Sequence, residues 1–157
     1  MAIHSLDKRA SDNAYLHRDF HIAGDRGLQY LGENYGDNSV KEFLRTAASR
    51  YYSLLIDDIK KSGLSAMVDH LVRIYEKEEA SDALKITLSA DRLDVHILYS
   101  PAVRYMHSVG HIPSPWFAEQ TRTCFETIAD LADIGFRMTM YDEKTGRAEY
   151  YFFKRCM

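Results

Sequence analysis

Apolar residues recur at helical spacing through the first half of the chain, then switch to alternation. Leu16, Phe20, Ala23, Gly27, Leu28, Leu31 and Tyr35 share one helix face, and Gly36 is placed to close that helix in the left-handed conformation. Ser39 and Glu42, three apart, carry the capping-box signature of the next helix. Val40, Phe43, Leu44, Ala47, Tyr51, Leu54, Leu55 and Ile59 form its long stripe, which Gly63 ends. Ser65 is the expected cap of a third helix carrying Met67, Leu71, Ile74 and Tyr75. The charged run "EKEEASD" that follows is a solvated helix end and connection.

The period then becomes two. Leu84, Ile86 and Leu88 face one way, as do Leu93, Val95 and Ile97, with "SADR" as the hairpin loop between them. Ser100 is a good helix cap, and Pro101 suits the first helical position, where no amide bond is lost. That short helix stops at Gly110. Ser114 and Pro115 repeat the device, and Phe117, Thr121, Cys124, Ile128 and Leu131 mark a longer helix that Gly135 ends. "FRMTMY" and "RAEYYFFK" form a second hairpin across "DEKTG", whose Gly146 suits a bulged turn. The predicted class is α+β: an antiparallel sheet from two hairpins packed with helices, in the order α-α-α-β-β-α-α-β-β. No linker or residue-level repeat divides the chain. A single domain over residues 1–157 is expected, with 1–13 frayed.

Composition narrows the function classes. Twenty basic against 23 acidic residues give a formal charge of -3, without the basic face that nucleic acid favours. No apolar run has the roughly 18 residues of a membrane span, and the N-terminal stretch has no apolar signal region. Two cysteines without CxxC spacing make no disulfide framework, so the expected compartment is the cytoplasm. Eleven tyrosines and seven phenylalanines suit a ligand pocket, a homodimer interface or simply a core.

The candidate chemistry is spread over histidines, helix starts and a few charged groups. His17 and His21 stack four apart on one helix face, but two ligands fall short of a zinc site and there is no HExxH. No metal or other cofactor is therefore expected. His21 is the better pocket candidate, because Gly24 and Gly27 would let a backbone or ligand approach its helix. His107 belongs to the last turn of its helix, where the dipole favours a partly positive ring. His111, beyond Gly110, sits in a loop facing the next helix start. His96 shares a polar strand face with Asp94. The amides after Ser100 and Ser114 can meet an anion, although most such starts hold only a cap. Arg104 and Arg122 offer guanidinium forks for a carboxylate, or plain surface charge. Glu119, beside Trp116, is a general acid or base if buried there, and otherwise complements the helix dipole. Cys124 falls on the apolar stripe and behaves as a small hydrophobe.

Ser100, Pro101, Ala102, Val103 and Tyr105, then Gly110, then Gly146 to Phe153, carry a family pattern. The pattern is a strand, a proline helix start, a glycine stop, a second helix and an aromatic-rich final strand. In these features the C-terminal half resembles the L-2-amino-thiazoline-4-carboxylic acid hydrolase-like family. The element order also resembles the ligand-binding fold of vinyl-reductase-type, haem nitric-oxide-binding-associated and Golgi-transport domains, and fold alone does not fix function. Family members carry a cysteine before the helix-start proline and another in the last strand. Here those places hold Ser100 and, nearby, Glu149. The resemblance implies hydrolysis of a small carboxylate-bearing cyclic amidine of thiazoline type. His111, Glu119 and His21 would move protons, while Ser100, Arg104, Ser114, Trp116 and His96 would bind substrate. The missing cysteines keep a second expectation open, a non-catalytic domain that binds or senses a small, partly aromatic molecule.

Overall fold

A computed structural model describes residues 18–156. The expected frayed segment, and Leu16 and His17 of the first helix, lie outside the described residues. Helices α1 (Asp19–Tyr35), α2 (Asp37–Tyr51), α3 (Ser53–Ser62) and α4 (Leu64–Lys77) lead into a hairpin of β1 (Leu84–Leu88) and β2 (Arg92–Ile97). Helices α5 (Pro101–Ser108) and α6 (Glu119–Leu131) follow, then β3 (Ile134–Tyr141) and β4 (Ala148–Lys154). The fold is α+β with its elements in the expected order. The sheet is antiparallel throughout and runs β1-β2-β4-β3, so the second hairpin docks with its last strand beside β2.

One face of the sheet is apolar and covered. Leu93, Val95 and Ile97 of β2, with Ala148, Tyr150 and Phe152 of β4, pack against Leu55, Ile59, Met67, Leu71 and Ile128 of the helices. Each such aliphatic side chain contributes about 1.5–3 kcal/mol by leaving water. The rings of Phe125, Phe136, Tyr150 and Phe152 meet at centroid distances of 5.0 to 6.0 Å. Two smaller clusters lie beyond the sheet. Leu28, Val40 and Leu44 hold α1 on α2, and Val103, Met106 and Phe117 hold α5.

Local boundaries depart from the periodic reading at several points, among them Gly135, which lies within β3 and does not end α6. The long second stripe is two helices, because Tyr52 leaves helical geometry (φ -101°, ψ 18°). The break re-aims the chain: Val40, Leu44 and Ala48 face α1 and α6, whereas Leu55, Ile56 and Ile59 face the sheet. Phe43 and Tyr51, expected on the buried stripe, are 53% and 51% exposed. The capping roles of Ser39 and Ser65 are not filled. Their hydroxyls donate backwards to the Tyr35 and Ser62 carbonyls, while Gly36 and Gly63 take the cap positions. Ser114 and Pro115 begin a run of turns, and α6 starts only at Glu119. Ser100 does cap α5, accepting from the Val103 amide at 3.3 Å, with Pro101 first in the helix.

The close approach on α1 falls at Gly32, not at Gly24 or Gly27. The Trp116 ring lies against Gly32 so tightly that a methyl group would overlap it, whereas nothing lies within 4 Å of the corresponding position at Gly27. Two substitutions five residues apart should therefore have opposite signs. Gly32→Ala is expected to cost about 1–3 kcal/mol by overpacking. Gly27→Ala should gain about 0.5–1 kcal/mol by removing backbone freedom from a helix interior. Urea unfolding of both variants checks this, and equal effects would contradict the packing described.

Candidate functional site

Asp25 is the most deeply buried charged group among the described residues, at 0% exposure. It follows His21 by one helical turn on the same side of α1; His21 meets the end of α4, and Asp25 meets the segment that joins α5 to α6. Gly110, with φ +78°, turns the chain out of α5, and the His111 amide donates back to the Met106 carbonyl at 2.8 Å. That turn brings His111 Nε2 to 2.7 Å from Asp25 Oδ2. The Ser114 hydroxyl donates to Asp25 Oδ1 at 2.7 Å, and the Ser114 amide lies 3.1 and 2.9 Å from the two oxygens. Serine, histidine and aspartate are thus gathered, but in an order unsuited to nucleophilic catalysis. The carboxylate stands between the other two, so the serine hydroxyl gives its hydrogen to the acid and has no imidazole bonded to it. The arrangement is a tie between α1 and the 111–114 segment.

The other expected residues are also engaged, and at separate places. His21 Nε2 lies 2.8 Å from Oε1 of the nearly buried Glu78, fastening α1 to the end of α4. Glu119 uses both oxygens, taking Arg122 Nη1 and the Thr123 hydroxyl at 2.6 Å each. Trp116 donates from Nε1 to Asp37 at 2.8 Å, and with Glu119 it borders a shallow cleft of about 220 Å³. His96 stands on the uncovered sheet face, 3.8 Å from Glu149 across the strand pair. Arg104 stacks on Tyr99, 3.4 Å above the ring centroid, beside an open cleft of about 330 Å³ that Arg18, Glu78 and Glu79 also line. His107 is exposed in the last turn of α5, as expected. His111, Glu119 and His21 do not converge on one cavity. Among the described residues no three His, Cys, Asp or Glu side chains come together as a metal site, and no helix is long and apolar enough to cross a membrane.

A different space lies between the covered sheet face and helices α4 and α6. It holds about 160 Å³ and is more enclosed than the Arg104 cleft. His70, Leu71, Ile74 and Tyr75 of α4 form one wall, Thr121 and Phe125 of α6 another, and Ile97, Tyr141, Ala148 and Tyr150 the sheet floor. Tyr52, at the break between α2 and α3, and Ser100, at the cap of α5, complete it with Phe117 and Gly146. Gly146 is in the left-handed region (φ +67°) and presses the β3–β4 turn onto Ser100, whose amide donates to the Thr145 carbonyl at 2.9 Å. Of the eight expected site residues, only Ser100 lines this space. Among the described residues no protein hydrogen bond is formed by the hydroxyls of Tyr52, Tyr75, Tyr141 or Tyr150. Burial raises the pKa of all four phenols above the ordinary tyrosine value, Tyr141 to about 12. Burial, and then the charge of Glu119, push the Cys124 thiol up to about 12, which leaves it protonated and inert.

Sequence reasoning missed Asp25 and the tyrosine-lined space. The signal for Asp25 was a carboxylate three residues before the buried Leu28, on the apolar face of α1. The tyrosines come from elements far apart in the chain and carry no joint spacing. No family model, no curated protein and no solved structure matches the chain.

Two measurements test this geometry. Asp25→Ala leaves the Ser114 amide and His111 without their acceptor and should cost about 3 kcal/mol or more. His111→Ala leaves the Ser114 bonds in place and should cost about 1.5–3 kcal/mol. Both are read from urea midpoints, and a cost below about 0.5 kcal/mol for Asp25→Ala would remove the tie from the account. The phenols set an alkaline limit. Their folded-state pKa values lie above the unfolded value of about 10, so their stabilising contribution is complete below that pH. It is lost as pH rises through the folded-state values. The urea midpoint should hold to about pH 9 and fall above about pH 10, in step with phenolate absorbance.

Proposed function

We propose that the chain is a non-catalytic small-molecule-binding domain whose ligand occupies the space between the sheet and helices α4 and α6. The observation that carries this reading is that four tyrosines line the space and their hydroxyls make no protein hydrogen bond among the described residues. A phenol hydroxyl that has no protein partner can both donate to and accept from a ligand or an ordered water. The tyrosines remain neutral across the ordinary pH range, which suits binding better than proton transfer. The groups expected to move protons are held in ties elsewhere: His111 on Asp25, His21 on Glu78, Glu119 on Arg122 and Thr123.

Hydrolysis of a thiazoline-type substrate is the competing reading, and the position of Ser100 at the edge of the same space favours it. Its hydroxyl already accepts from the Val103 amide as the cap of α5, and a serine hydroxyl needs an adjacent base to become a nucleophile.

Thermal unfolding in the presence of small ring compounds, with mass spectrometry of the mixtures, separates the two. A binding domain should gain about 2.7 kcal/mol at a ligand concentration a hundredfold above Kd, a rise of about 5–10 °C in Tm. The compound should be recovered unchanged. Turnover that survives His111→Ala and stops in Ser100→Ala would replace the binding reading with the hydrolytic one.

A further inference from the structure

The lining of the tyrosine space also restricts the charge of what it can hold. We infer that its ligand is an uncharged molecule of about the size of phenol, with one ring and one hydroxyl or carbonyl group, and is not a carboxylate. This rests on the reading that the space is the ligand site.

Three observations carry it. The volume, about 160 Å³, matches the roughly 150 Å³ that accommodates a benzene-sized guest in an apolar protein cavity. No Lys, Arg, Asp or Glu lines the space. An ion brought there without a counter-charge loses several kcal/mol of hydration, whereas the open Arg104 cleft keeps charged groups beside solvent. The lining also has two chemistries. Leu71, Ile74, Ile97 and Phe125 offer an apolar surface to a ring, and the tyrosine hydroxyls offer neutral donors and acceptors to a single polar group. His70 is the one lining side chain of a type that can gain charge near neutrality, and its ring stands edge-on to Tyr52 at 5.8 Å.

Size-matched probes provide the test: phenol, benzyl alcohol, toluene, benzoate and benzylammonium, titrated calorimetrically at about pH 8. Phenol or benzyl alcohol should bind. Benzoate and benzylammonium should bind at least about 100-fold more weakly, the factor that an unpaired buried ion implies. Toluene should be about tenfold weaker than phenol, and Tyr75→Phe or Tyr150→Phe should weaken phenol while sparing toluene. These conservative variants keep the ring in the core, and their circular dichroism confirms that they fold. Benzoate binding as tightly as phenol would overturn the charge inference while leaving the binding site in place. Loss of that benzoate binding in His70→Gln would make His70 the counter-ion, which overturns it equally. Failure of all five probes, with the protein folded, would overturn the underlying assignment of the site.

Discussion

At Asp25 a carboxylate has been taken wholly out of water, and every donor that replaces the water comes from the segment His111–Ser114. The bonds join parts of the chain 86 to 89 residues apart, and that span decides how the helices lie. Because Ser114 is held by Asp25, the turns after it lay the Trp116 ring against Gly32 and put Phe117 into the cluster beneath α5. Phe117 then lines the tyrosine space. Asp25, which does not line that space, therefore helps to set one of its walls through two turns of backbone.

The histidines change character in the same light. All three that were expected to act on a substrate face carboxylates: His111 on Asp25 and His21 on Glu78 at hydrogen-bond distance, and His96 across from Glu149 at 3.8 Å. The His111 and His21 ties both run from α1, one to the segment between α5 and α6 and the other to the end of α4. They occupy the polar seams between layers, where a hydrophobic contact would leave the carboxylates stranded. Among the described residues, the phenols of Tyr52, Tyr75, Tyr141 and Tyr150 carry no such tie.

Much of the architecture was legible because helices and strands impose different periods. The switch at Leu84, the stops at Gly36, Gly63 and Gly110, and the serine–proline start of α5 were all visible in order, whereas Gly135 is not a helix stop but pairs with Phe153 inside β3. The break at Tyr52 was not, because two helices whose apolar faces point to different layers can still sum to one continuous stripe in sequence. The start of α6 was misplaced for a related reason: Ser114 has the side chain of a cap, but the Asp25 carboxylate competes for its hydroxyl and amide and wins. Serines 39 and 65 show how weak that signal is without its context, since glycines took their caps. The tyrosine space could not be read at all. Its walls come from α4, α6, both hairpins and a helix break, and only tertiary packing assembles them.

The strand order has a consequence for how the molecule is made. β4 is the last of the described strands, yet it lies inside the sheet, between β2 and β3. Until residues 148–154 are available, β2 presents an unpaired edge, and the apolar faces of α4 and α6 have half a floor. The nascent helices and first hairpin can form locally, but closure of the sheet is long-range and comes late. Closure of the sheet thus waits for the same strand that supplies Ala148 and Tyr150 to the tyrosine-lined space, so a chain lacking it would expose both an adhesive edge and an unfinished cavity.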